Sequence, residues 1–199
     1  PISTDYPNNY NTETMKRILS FCVLFSLLTM QGMSQERYFT RNGKVSFYSD
    51  APAEKIEAHN AQATSVMDVT TGNFEFAVLM KAFEFEKALM MEHFHENYAE
   101  SDKYPKSVFK GSITNMATVN LLKDGKYPVQ YKGAMTLHGV TKEISGSGTL
   151  EVKGGKIITN STFMILLADY NIQIPALVKD EVAKEVKIVV NAAYDKFNK

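Results

Sequence analysis

Residues 126–138 read "KYPVQYKGAMTLH". Tyr127, Val129, Tyr131, Gly133, Met135 and Leu137 fall on one parity, and Lys126, Pro128, Gln130, Lys132, Thr136 and His138 on the other. Only Ala134 breaks the alternation. A period of two places successive side chains on opposite faces of a strand, so this segment predicts a strand with one buried face. Val186, Ile188, Val190, Ala192 and Tyr194 repeat the pattern against Glu185, Lys187, Asn191 and Asp195, and so does the stretch 144–152. Further strand-like runs cover residues 44–49, 58–69, 74–83, 107–113, 116–122 and 157–167. Asp124-Gly125 and Gly154-Gly155 permit the positive φ angles of tight hairpin turns, so the strands beside them are expected to be antiparallel.

One segment departs from the pattern. Residues 84–98, "EFEKALMMEHFHENY", hold good helix formers and space Phe83, Lys87, Met90, Met91, Phe94 and Tyr98 at intervals of three and four. They predict a short amphipathic helix that covers one end of the sheet and stops before Pro105. The fold class is therefore all-β, with about eight or nine antiparallel strands and one short covering helix. A sheet with one apolar face must close into a barrel or fold into a sandwich, and closure is the preferred reading. Gly133, Gly146, Gly148, Ser161 and Ala192 share the expected inner face with Tyr131, Met135 and Phe163. Small residues among large ones there fit a hollow interior better than a filled core.

The chain has 199 residues, 44% of them apolar and 22% charged, the range of one ordinary globular domain. Residues 1–14 are polar, lack an initiating Met and are read as an unassigned upstream extension. Met15, Lys16 and Arg17 open a basic segment, the 13 residues 18–30 carry no charge, and Gly32 and Ser34 follow as small residues. This order predicts a secretory signal over 15–34, cleaved before Gln35, and a domain over 35–199 that is periplasmic or secreted. The apolar run is shorter than the roughly 20 residues a spanning helix needs. The only cysteine, Cys22, lies inside that segment, so the exported domain is expected to hold no disulfide. Bulky Phe21 before it and a long apolar run after it argue against lipid attachment there. Cleavage removes Lys16, Arg17, Asp5 and Glu13, which takes 22 basic and 22 acidic residues to 20 of each. With no basic excess, nucleic acid and anionic membrane are not expected partners.

Four segments carry a resemblance: "SDKYPKSVFKGSI", then "YKGAMTLHGVTKEISGSGTLEV", then "ADYNI", and a final "VKIVVNAAYD". In this order, and over most of residues 35–199, the chain resembles the YceI-like family of bacterial exported proteins. The resemblance implies an extended lipocalin-like antiparallel barrel. It also implies an elongated apolar cavity that holds a polyisoprenoid chain, such as a quinone tail or prenyl phosphate, or another long-chain lipid. Two departures bear on the ligand. The second strand reads "EAHNAQATSVMDV" without the family's Gly-x-Phe, and "HFHENYAE" places Tyr98 and Ala99 where a double Phe is more usual.

The histidines are the remaining candidates for chemistry. His93 and His95 are two residues apart, which on a helix turns them about 200° from each other, and no zinc-protease spacing follows. They are expected on a solvated helix face. Strand parity puts His138 on the outer face with Lys132, and His59 on the parity of Ala61, Ala63, Ser65 and Met67, where it is a weak candidate for a polar contact inside the cavity. No nucleophile elbow, Gly-rich phosphate loop or Cys/His cluster is present, and residues 96–102 lack the spacing and glycine of a calcium loop.

These residues together predict a non-catalytic exported carrier, with neither a catalytic residue nor a metal and with no cofactor beyond a possible isoprenoid or quinone cargo. Binding would come from burial of apolar surface, at about 25 cal/mol per Å². The expected wall residues are Phe47, Phe74, Phe76, Met80, Phe109, Tyr131, Met135, Leu137, Phe163 and Val190. Met90, Phe94 and Tyr98 are expected to close or line one end. Lys, Glu, Gln and Asn on the outward faces argue against a membrane-spanning barrel, so no stable membrane insertion is expected. Two alternatives stay open: a metal- or haem-binding redox protein using His93 and His95, and a filled barrel serving as an interaction module.

Overall fold

The computed structural model describes residues 36–197, so the expected signal, the upstream extension and Cys22 lie outside the described residues. Nine strands run in chain order: β1 (Arg37–Asp50), β2 (Lys55–Asp68), β3 (Asn73–Leu79), β4 (Glu84–Phe85) and β5 (Lys106–Ile113), then β6 (Gly125–Leu137), β7 (Val140–Lys153), β8 (Lys156–Leu166) and β9 (Glu185–Lys196). Every pairing is antiparallel, in the order β1-β9-β8-β7-β6-β5-β3-β2, and β1 also pairs with β2 to close the ring. The result is a closed barrel of eight strands, with the two-residue β4 added to β2 at Ala58 and His59. Closure removes the unpaired edges that an open sheet of this size would expose.

The parity of β6 and β9 is as the sequence predicts, with Val129, Met135, Leu137, Val186, Ile188, Ala192 and Tyr194 buried. The end of the barrel that holds the β7–β8 turn is packed. Leu150, Ile157, Ala192 and Tyr194 are there at most 2% exposed. Gly154 and Gly155 take φ of 57° and 77° in the two-residue turn of that hairpin. The other end carries the longer connections, residues 80–105 and 167–184.

Several local expectations change. Residues 116–122 form no strand; a single turn at Met116–Thr118 leads into a loop, and Asn115 fastens it by accepting from the Gln130 N–H and donating to the Pro128 carbonyl. Asp124-Gly125 is not a hairpin turn. Its carboxylate accepts the Gly154 N–H at 3.0 Å and so ties this loop to the β7–β8 turn. The expected helix is shorter and irregular: α1 covers Ala88–His93 and continues as one wide π-helical turn over Phe94–Tyr98, while Glu84 and Phe85 join the sheet.

Two histidines also stand where parity did not predict. The register of β1 against β2 shifts on both sides of Gly43, and on the β2 side two residues, Ala61 and Gln62, stand opposite the single Lys44, one residue more than a regular ladder holds. A bulge of this kind resets which face each residue takes. Ala63, Ser65 and Met67 point inward, whereas His59 points outward, bonded to Ser46 and paired with Glu57 at 3.0 Å. His138 is a turn residue rather than an outer strand residue. With Gly139 it takes positive φ, 50° and 74°, in the tight turn that joins β6 to β7.

Candidate functional site: an apolar cavity along the barrel

A cavity of about 310 Å³ runs from the helical end toward the packed end. All thirteen wall and end-closing residues expected from the sequence line it, from Phe47 on β1 to Val190 on β9, with Met90, Phe94 and Tyr98 at the helical end. Val45, Phe83, Phe85, Ile144, Ile165 and Val186 line it as well. Strand parity carries the signal for four of these, whereas Phe83 and Phe85 were hidden by assigning their segment to a helix.

Two aromatic clusters shape the wall. At the helical end Phe94 sits among Phe47, Phe83 and Phe85, with ring centroids 5.1–5.6 Å apart. These contacts hold α1 and its π-helical turn against β1, since aromatic pairs in tilted or offset arrangements add to what area burial supplies. Deeper in, Phe74, Phe109 and Tyr131 pack with centroids 5.1–6.3 Å apart.

Tyr131 changes the reading of the small inward residues. Its cross-strand partner is Gly146, and a Cβ added there would lie 2.6 Å from the Tyr131 ring carbon Cζ. The hydroxyl end of the ring therefore occupies the space over the glycine, and an aromatic ring so placed is known to compensate for glycine in a strand. The Tyr131 hydroxyl reaches Ser161 Oγ at 2.9 Å, and Ser161 gives its own proton to the Ser147 carbonyl. Tyr131 is thus the donor in the first bond. Burial raises its pKa, with the Ser161 bond acting in the opposite direction. A parallel relay at the packed end runs from Tyr194 through Ser65 to the Glu75 carbonyl. The small residues in part accommodate the Tyr131 ring, and only the remaining space is cavity. Ala192 belongs to the packed end and does not line it.

The ionisable side chains that line the cavity are Glu54, His93 and Glu181, with the phenols of Tyr98, Tyr131 and Tyr194; among the described residues no Lys or Arg does so. Glu54 holds Lys87 at 2.8 Å, which joins the β1–β2 turn to the start of α1. Burial, and next the Glu181 charge, raise the pKa of Tyr98. His93, on α1, is exposed and lines the cavity. His95 does not sit on a solvated face: its ring packs on Phe94, and its Nδ1 is buried with no hydrogen-bond partner. Burial, then the charge of Lys81, lowers its pKa against an opposing effect of Asp102. Among the described residues no three His, Cys, Asp or Glu side chains converge as metal ligands, and no helix is long and apolar enough to cross a membrane.

His138 lies outside the cavity and is largely buried. Its Nδ1 donates to the Tyr170 carbonyl at 3.0 Å, its Nε2 lies 2.7 Å from Glu100 Oε2, and its ring meets Tyr104 at 4.6 Å. Tyr104, His138-Gly139 and Tyr170 come from three of the four segments that carry the family resemblance. Those motifs meet in space as the joint that fastens the helical end.

No curated protein matches the chain by sequence. Among solved structures, it is similar to a polyisoprenoid binding domain from Saccharophagus degradans implicated in plant cell wall breakdown, at TM-score 0.71 and 13% identity over 81% of this chain and 99% of that one. It is also similar to BcnA of Burkholderia cenocepacia, at TM-score 0.62 and 17% identity over 77% of this chain and 96% of that one. At such identities the likeness is one of fold, which matches the closed antiparallel barrel described above. The model of the YceI-like domain matches residues 27–194, and the chain belongs to the YceI-like family.

Proposed function

We propose that this protein is an exported, non-catalytic carrier that holds a polyisoprenoid or similar long apolar chain inside the barrel. The observation that carries the reading is the cavity itself: about 310 Å³, extended along the barrel and walled by two aromatic clusters and aliphatic side chains. Pockets that hold drug-sized ligands begin at about 300 Å³ and are lined mostly by such groups. The structural likeness to a polyisoprenoid binding domain supports the same ligand class. The thirteen lining residues foreseen from sequence are the proposed contacts. Export rests on the order of residues 15–34, a basic start, an uncharged run and small residues before Gln35.

Native mass spectrometry of gently purified protein tests both parts. The expected spectrum shows a chain beginning at Gln35 with an added mass released by organic solvent. A chain that retains residues 15–34 would remove export. Protein that carries no lipid, and takes up neither a polyprenol nor a quinone in titration, would remove the carrier reading.

A further inference from the structure

Toward the helical end, the neighbouring strands β7 and β8 continue over several residues without pairing to each other. Strands β7 and β8 pair from Lys153↔Lys156 up to Gly148↔Ser161, and there the register ends. Yet β7 continues through residues 140–147, paired with β6, and β8 continues through 162–166, paired with β9. Above the last pair the two strands diverge. Higher up, the His138 Nδ1 bond to the Tyr170 carbonyl and the ion pair at 3.6 Å between Lys142 of β7 and Asp169, which follows β8, join the two sides.

The cavity lies against this seam from the inside. Gly148 and Ser161, the last pair of the ladder, line the cavity, and so do Ile144 and Phe163 on the two sides of the unpaired stretch. Ile144 and Phe163, on the inner face at either side of the seam, are only half-buried. On the outer surface of the same unpaired stretch of β8, Met164 is 50% and Leu166 43% exposed. With Phe163 inside and these two side chains outside, the unpaired stretch of β8 carries apolar groups on both of its faces.

We infer that the seam between β7 and β8 is a lateral portal. Through it an apolar chain longer than the cavity leaves the barrel wall, and its outer part lies on Met164 and Leu166. The occupant is the same isoprenoid-like chain that fills the cavity, because Ile144 and Phe163 on the two sides of the seam line that cavity. The inference rests on the carrier reading. A chain confined to the cavity would never touch Met164 or Leu166, whereas a longer one would bury them. Apolar area removed from water is the contribution at issue.

The test compares farnesol, a short prenol, with solanesol, a long one, in binding titrations of the parent, of Met164→Asp/Leu166→Asp, and of Val66→Asp. Val66 is an equally exposed apolar residue on β2. Placing two carboxylates on this outer face is expected to weaken solanesol binding about tenfold, leave farnesol binding unchanged and leave the melting temperature near that of the parent. Val66→Asp is expected to change neither affinity. Equal effects on both prenols, no effect on solanesol, the same loss from Val66→Asp, or a parent that binds farnesol but not solanesol would each overturn the portal while leaving the carrier reading in place. A parent that binds neither prenol would remove the carrier reading, and the portal with it.

Discussion

His138 Nε2 lies 2.7 Å from Glu100 Oε2, and both residues hold left-handed backbone, φ 50° and 43°. The other ring nitrogen gives its hydrogen to the Tyr170 carbonyl, so the contact with Glu100 is completed by one further proton between nitrogen and carboxylate. One side chain thereby joins the β6–β7 turn to both long connections of the helical end. Replacing His138 by Gly relaxes the backbone at a positive φ but removes these bonds. The variant is expected to be less stable by about 1–3 kcal/mol, measured by denaturant unfolding. A variant as stable as the parent would show that the contacts do not hold the end together.

Tyr131 and Gly146 are matched in shape, and that match can be tested by exchange. Gly146→Ala places a methyl group against the Tyr131 ring and is expected to cost about 1–3 kcal/mol through overpacking. In Gly146→Ala/Tyr131→Leu the ring is gone, and a double-mutant cycle should return part of that loss as a coupling of about 1 kcal/mol or more. Strict additivity would mean that the ring does not lie on the glycine in solution.

Cavity and packed end call for opposite responses to added volume. Met135 lines the cavity, so Met135→Trp is expected to displace bound lipid with little change in the melting of lipid-free protein. Ala192 is 1% exposed and outside the cavity, so Ala192→Leu is expected to cost about 1–3 kcal/mol and to spare the lipid content of the molecules that fold. Thr136→Trp, on the outer face, serves as the control. Extracted lipid per folded molecule, measured beside thermal unfolding, distinguishes the two sites.

His95 supplies a pH dependence with a definite sign. Its pKa is lowered in the fold from the ordinary 6.5, chiefly by burial, so the unfolded chain binds this proton more readily than the folded one. Stability from this residue is full above pH 6.5 and is lost as pH falls through 6.5 toward the lower folded value. His95→Phe keeps a ring beside Phe94 and removes the titration. The parent is expected to lose melting temperature between neutral and mildly acidic pH by more than the variant does, and parallel curves would contradict the assignment.

The alternation in β6 and β9 was enough to read strands with one buried face, because strand parity is a local property: each side chain's face follows from its neighbours two positions away. Strand runs named ten positions that line the cavity, and the helical spacing of Met90, Phe94 and Tyr98 named the other three. Parity failed where the chain departs from regular pleating. His59 was turned outward by the bulge at Ala61 and Gln62, and His138 was drawn into a two-residue turn that the His-Gly pair permits but does not announce. Residues 116–122 carry strand-like composition, yet form a loop fastened by Asn115, whose partners Pro128 and Gln130 are distant in sequence.

By itself, the sequence determined the class of fold, the inner face of most strands and the family, all of which rest on short-range periodicity or on contiguous motifs. Only the tertiary structure decided how much of the interior remains open, because the Tyr131 ring covers Gly146 from the neighbouring strand and Leu150, Ile157 and Tyr194 pack the far end. It also decided that the family motifs converge on His138, and that the wall parts between β7 and β8. Those are relations between segments brought together by barrel closure, and no local spacing encodes the distance between them.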